Sequence, residues 1–437
     1  MSRLFLAVLA ALALTPAAHA AVDIQEVKSP GGITAWLVEE HSIPFIALEI
    51  RFKGGASLDE PGKRGAVNLM TGLIEEGAGD LDAQGFAAAQ EALAASFSFD
   101  VWDDGLSISS RFLTANRDES VALLKSALTT PKFDEESVER VRGQVLSIIR
   151  SDEKDPDEIV TARFSAVTYG DHPYGSSLNG TMDSVSALTR DDIVAAHQAV
   201  LTRDNIYVGA VGDITSEELG ALLDDLLGDL PATGGTPPET AEISFDGGVT
   251  VIPYETPQSV AIFAHEGLAR DDPDFFAAFV LNTVLGAGNF ESRLMTEVRE
   301  KRGLTYGVYT YLANKDYADL MIGRVASANN RVAEAIDVIK AEWAKIAAEG
   351  VTQEELDLAK TYLTGAYPLR FDGNGTIAGI MVGMQMGDLP IDYIATRNDK
   401  VNAVTLDDVK RVAARLMQPD ALTFFVVGQP EGLETTN

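Results

Sequence analysis

The chain is predicted to be α+β, with two duplicated domains, each a mostly antiparallel sheet packed with helices. Three observations carry this. A set of segments recurs at one offset. A segment rich in Pro, Gly and Thr lies between the two copies. Each copy mixes short β-rich runs with amphipathic helical stretches. The chain has 437 residues, 46% of them hydrophobic and 23% charged, which is enough core material for two domains.

The repeat is read directly. Gly31-Gly-Ile-Thr34 returns as Gly247-Gly-Val-Thr250. Asp183-Ser-Val-Ser-Ala-Leu-Thr-Arg-Asp-Asp-Ile193 returns as Asp399-Lys-Val-Asn-Ala-Val-Thr-Leu-Asp-Asp-Val409. Tyr207-Val-Gly-Ala-Val-Gly212 returns as Thr423-Phe-Phe-Val-Val-Gly428. All three pairs share one spacing, that from Gly31 to Gly247, and so long a period means duplicated domains rather than a solenoid. The expected layout is a leader over 1–20, a first domain over 21–229, a linker over 230–246 and a second domain over 247–437. The linker contains Leu230-Pro-Ala-Thr-Gly-Gly-Thr-Pro-Pro-Glu-Thr240 and has no periodic apolar face.

The elements follow in order. Met1-Ser-Arg3, the apolar run Leu4 to Leu14 and the small-x-small ending at Ala20 read as a signal peptide cleaved after Ala20. That run is shorter than the ~20 residues needed to span a bilayer. The mature protein is therefore expected to be exported to a periplasm, without a membrane anchor. Each half opens with a strand after a Gly-Gly turn (Thr34 to Glu40; Val249 to Tyr254) and a second strand (Phe45 to Phe52; Val260 to Glu266). Gly65 to Gly77 reads as a short buried helix, with Val67, Met70, Leu73 and Ile74 at helical spacing and Gly77 and Gly79 ending it. Ser96 to Phe99 and Leu106 to Phe112 form a hairpin around Asp103-Asp-Gly105. Asn116 to Thr129 and Asp134 to Arg150 are amphipathic helices. Thr189 starts another, with Asp191 and Asp192 in its first turn. Ile206 to Val211 is apolar throughout and so is expected at a sheet centre.

Composition excludes several functions. With 34 basic and 66 acidic side chains the net charge is −32, which argues against nucleic-acid and anionic-membrane partners. There are no cysteines, so thiolate metal sites are ruled out. Beyond the leader only His41, His172, His197 and His265 remain, none spaced for a local metal pair. There is no Gly-x-Ser-x-Gly elbow. Gly286-Ala-Gly-Asn289 and its counterpart Gly77-Ala-Gly-Asp80 lack the phosphate-loop pattern and read as tight turns.

The most distinctive stretch is Phe290-Glu-Ser-Arg-Leu-Met-Thr-Glu-Val-Arg-Glu-Lys-Arg-Gly-Leu-Thr-Tyr-Gly-Val-Tyr-Thr-Tyr311. Leu294, Met295 and Val298 give a buried helix face, Gly303 ends the helix, and a strand is expected from about Thr305. On this stretch, and on the two repeated domains, the chain resembles the M16 metallopeptidases, the pitrilysin, insulinase and mitochondrial-processing-peptidase group. The resemblance implies that Arg299 and Tyr306 contact substrate backbone. It also implies a His-x-x-Glu-His zinc motif in the first domain and a further Glu ligand downstream. Those positions are Asn68, Thr71, Gly72 and Ile148 here, none able to serve as ligand or base. Glu75 and Glu76 supply no nitrogen ligand and read as helix-end acids. The resemblance thus implies a zinc-free, non-catalytic subunit that holds peptide for a His-x-x-Glu-His partner in a heterodimer. Any Zn²⁺ would belong to that partner and none to this chain. The alternative is a non-enzymatic periplasmic peptide-binding or scaffold protein.

Overall fold

The computed structural model describes residues 23–287 and 291–436. The leader and its cleavage site, and the last two residues of the Gly286–Asn289 turn, lie outside the described residues.

The first half contains strands β1 (Gln25–Lys28), β2 (Thr34–Glu39) and β3 (Phe45–Lys53). Helix α1 (Ala66–Thr71) follows, then a small β4–β5 pair (Gly77–Ala78, Leu81–Asp82) and α2 (Ala83–Ala92). Next come β6 (Ser96–Trp102), β7 (Gly105–Leu113), α3 (Arg117–Thr129), α4 (Glu135–Asp152) and α5 (Pro156–Tyr169). The half closes with α6 (Met182–Ala187), α7 (Arg190–Val200), β8 (Ile206–Gly212) and α8 (Ser216–Leu227).

The second half repeats the plan. It has β9 (Gly248–Pro253), β10 (Gln258–Glu266), α9 (Phe275–Leu285), a π-helical turn Met295–Glu300, β11 (Val308–Lys315) and β12 (Ala318–Ala328). Then come α10 (Val332–Glu349), α11 (Gln353–Ala366), α12 (Asn374–Met386), α13 (Tyr393–Ala403), α14 (Leu406–Leu416) and β13 (Thr423–Gly428).

The sheets have the orders β1-β2-β8-β3-β7-β6 and β11-β12-β10-β13-β9. Setting aside β1, they are one topology written twice. Among the described residues the only parallel pairs are β2 with β8 and β9 with β13, and every other pair is antiparallel. The α+β duplication read from the sequence is therefore the architecture. As expected, β8 is central and buried along most of its length. Thr189 and Thr405, equivalent in the repeat, both cap their helices through a capping box with Asp192 and Asp408.

Two expected boundaries move. The helix expected over Gly65 to Gly77 stops at Thr71, and the chain continues through tight turns to Glu76. Leu73 and Ile74 are fully buried, so burial rather than helical continuity fixes this segment. The strand expected from Thr305 starts at Val308. The Thr305 hydroxyl sits 2.8 Å from the Gly307 carbonyl and 2.6 Å from that of Ala326, which holds the loop turned until then.

Each sheet packs its own half's helices on one face. The other face is partly covered by a helix from the opposite half. Helix α12 lays Ala378, Met381 and Met384 over Trp36 and Val211 of the first sheet. It approaches so closely that a Cβ on Gly209 would stand 2.7 Å from the Ala378 carbonyl oxygen. Helix α5 reciprocates, packing Val160 and Phe164 with Ile262 and Phe425 of the second sheet. The tips of the two equivalent hairpins also meet. Lys315 lies 2.7 Å from Asp103, which also pairs with Arg64 at 2.9 Å. The Asp316 amide donates to Asp104 at 3.2 Å, and the Tyr174 hydroxyl donates to Asp104. The linker threads this junction, with Ala241 buried and its amide bonded to the Tyr317 carbonyl at 2.9 Å.

Candidate functional site

Helix α1 is entered through a tight polar turn. The buried Asp59 carboxylate accepts from the Gly65 amide at 2.9 Å and the Val67 amide at 2.8 Å, satisfying free N–H groups at the helix start. Burial raises the Asp59 pKa despite these bonds and the nearby Arg64.

Of the four positions matching the zinc motif, two are committed to hydrogen bonds and two offer no ligand atom. Asn68 donates to the Asn179 side-chain oxygen at 3.0 Å, and Asn179 in turn donates to Asp152 at 3.3 Å. The buried Thr71 returns its hydroxyl to the Val67 carbonyl at 2.8 Å. A Cβ at Gly72 would stand 3.2 Å from Val141, so even an imidazole's first carbon is crowded there. Ile148 is 49% exposed, with a side chain that offers no lone pair. Glu76 pairs with Arg140, and Glu75 has its pKa raised by burial and by Glu76. Among the described residues no group of three or more His, Asp or Glu is placed to hold a metal ion.

The histidines serve local structure. His41 bonds Asp213 at 2.8 Å across the fold. His197 reaches the Leu128 carbonyl at 2.8 Å. His172 packs edge-on against Tyr174. His265 is fully buried in β10.

Arg299 is half-buried in the π-helical turn, and Tyr306 stands 89% exposed in the loop that follows it. Among the described residues no large apolar side chain is more exposed than Tyr306. Beyond it, Tyr309 and Tyr311 continue the exposed aromatic surface along β11, their rings stacked with centroids 6.4 Å apart.

The sheet edges differ. At β11 the Thr310 amide donates to the Gly286 carbonyl at 2.8 Å, and its carbonyl accepts from Asn282 at 3.3 Å, so that edge is occupied at Thr310. At β6, which pairs only with β7, no backbone group is bonded on the outer side among the described residues. This open edge packs beside α1. An open strand edge is a ready template for an extended peptide. The alternation Ser96-x-Ser98-x-Asp100 against Phe97, Phe99 and Val101 was the available signal for its two faces, but alternation does not tell an edge from a centre.

Comparison with known proteins agrees with this geometry. Residues 35–182 match the description "Insulinase (Peptidase family M16)", and residues 187–363 match "Peptidase M16 inactive domain". The chain belongs to the M16 family, as a zinc-free, non-catalytic type. It is 26% identical to the "Non-peptidase homolog YmxG" of Helicobacter pylori, over 89% of this chain and 90% of that one. It is 28% identical to an uncharacterized zinc protease of Streptomyces coelicolor, over 90% of this chain and 87% of that one. Among solved structures, the peptidase M16 inactive domain from Pseudomonas fluorescens superposes with a TM-score of 0.87 at 26% identity, covering 94% of this chain and all 100% of that one.

Proposed function

We propose that this chain is the substrate-holding subunit of a periplasmic, heterodimeric M16-like zinc peptidase. A separate His-x-x-Glu-His chain carries the Zn²⁺ and hydrolyses the peptide. This chain contributes Arg299 and Tyr306, which hold the backbone of an extended peptide.

The observation that carries the reading is an asymmetry. The first half holds Asn68 and Thr71 in structural bonds at two of its motif positions, while the second half leaves Tyr306 almost wholly in solvent, in the loop that follows the turn of Arg299. A phenol ring left in water has no use in the fold, whereas a phenol hydroxyl and a guanidinium suit peptide carbonyls. The open β6 edge adds a place where backbone pairing supplies affinity without reading sequence.

The test is reconstitution. This chain and a candidate His-x-x-Glu-His partner are assayed on a quenched-fluorescent peptide separately and mixed. The proposal requires activity in the mixture well above the sum of the two. Export is checked separately by fractionating cells and reading the N-terminus of the mature protein, expected at Ala21.

A further inference from the structure

The internal repeat supplies a control for one side chain. Counted from the hairpin turn, Arg111 is the seventh residue of β7 and Arg324 the seventh of β12, although across the sheet Arg111 stands level with Val211 and Arg324 with Phe425, two residues apart in the repeat. Each lies on the sheet face that receives a helix from the other half. Arg324 is answered by α5: it donates to the Thr161 hydroxyl at 2.6 Å and lies 3.5 Å from Asp157. Asp157 and Thr161 are the second and sixth residues of α5. In α12, which covers the first sheet, the second and sixth residues are Gly375 and Gly379. Arg111 has no hydrogen-bond or ion-pair partner among the described residues and is exposed.

The two glycines also leave space. A groove of about 520 Å³ lies here, walled by Gly375, Thr376 and Gly379 and floored by Ser98, Ser109 and Arg111. Its other charges are taken. Buried Glu49 accepts from Arg51 at 3.0 Å and from Ser109 at 2.6 Å. The groove lining therefore carries two guanidiniums against one carboxylate, in a chain whose net charge is −32.

Side chains of a strand added to β6 would point alternately to the core side and to this face. The added strand would lie two strand spacings from β7, about 9.5 Å, which extended Arg and Glu side chains can jointly bridge. We propose that the groove at Arg111 is an anion subsite that receives an Asp or Glu side chain of the peptide held along β6. This rests on the peptide-holding reading above and gives it a substrate preference.

The test uses the mature chain and fluorescein-labelled extended peptides, read by anisotropy at low salt. Three C-terminally amidated peptides differ at one central position, Glu, Gln or Lys. A fourth carries Gln and a free C-terminal carboxylate. The Glu peptide is expected to bind roughly tenfold more tightly than the Gln peptide. Arg111→Ala should abolish that preference, and Arg111→Glu should transfer it to the Lys peptide. Gly375→Asp places an acid in the groove wall beside Arg111 and should also abolish it. A Cβ at Gly375 meets nothing within 4 Å, and an acid suits the first helical turn, so the fold should tolerate the change. Equal binding of the Glu and Gln peptides, with both weakened by Tyr306→Phe, overturns the subsite and leaves the peptide-holding reading standing. A gain from the free C-terminus alone overturns the side-chain assignment in favour of a chain end. Failure of every peptide to bind overturns both readings.

Discussion

Arg299 and Tyr306 differ in what the fold asks of them. Arg299 sits in a helical turn and is half-buried, so its loss has a structural component. Tyr306 is 89% exposed, so removing its hydroxyl should cost the fold nothing measurable. In the reconstituted pair, Tyr306→Phe should lower kcat/KM about tenfold, the scale of one hydrogen bond to the reacting peptide, with an unchanged melting temperature. Arg299→Ala should lower it about a hundredfold, as expected for a charged donor. Unchanged kinetics in both variants would remove the pair from the substrate-contact role. At this scale the site was half legible. Asn68, Thr71, Gly72 and Ile148 could be read as chemically silent because residue type alone decides that. The bond of Asn68 could not be read, since Asn179, itself bonded to Asp152, reaches Asn68 only through the fold. Arg111 was invisible for the opposite reason: its significance is a missing partner on a helix from the other half.

Among the elements, β10 carries a built-in pH dependence. His265 is fully buried, and Trp343 donates its indole N–H to His265 Nε2 at 3.1 Å. Nδ1 faces the Glu266 carbonyl at 2.6 Å, which fixes the neutral tautomer with its proton on Nδ1. Burial pushes the pKa down to about 4. The unfolded chain protonates this residue near pH 6.5, so between pH 6.5 and about 4 the unfolded state binds the extra proton. Stability from His265 is therefore full above pH 6.5 and is lost as the pH falls, by about 3 kcal/mol at pH 4. Urea unfolding at pH 7 and pH 4.5 measures this. The drop should shrink by at least about half in His265→Gln, and an equal drop in both proteins would contradict the assignment. The elements show why boundaries are harder to read than types. The apolar spacing from Val67 to Ile74 marked burial correctly, but a turn and a helix can bury the same residues. Strand type was clearer, because β3, β8 and β10 are long β-rich runs whose neighbours in the repeat have the same pattern.

For the whole molecule, the exchange of α5 and α12 makes the two halves one mechanical unit, and the sequence showed the repeat without showing the exchange. Two equivalent helices could each have covered their own sheet, and nothing in their periodicity chooses between the arrangements. The hairpin tips tie the exchange together. Asp103 and Lys315 are 18% and 31% exposed, so their pair is only partly screened. A double-mutant cycle of Asp103→Ala and Lys315→Ala should give a coupling of about 1–2 kcal/mol in urea unfolding. A value within error of zero would mean that the tips merely touch.

The central claim is tested most directly by the mixing assay. The wild-type chain is titrated into a His-x-x-Glu-His partner while hydrolysis of a quenched-fluorescent peptide is followed. The expected result is negligible activity in either chain alone, with activity that rises and saturates at one chain per partner. Under the same titration Arg299→Ala should assemble but activate poorly. Full activity in the partner alone, unaltered by this chain, would contradict the account.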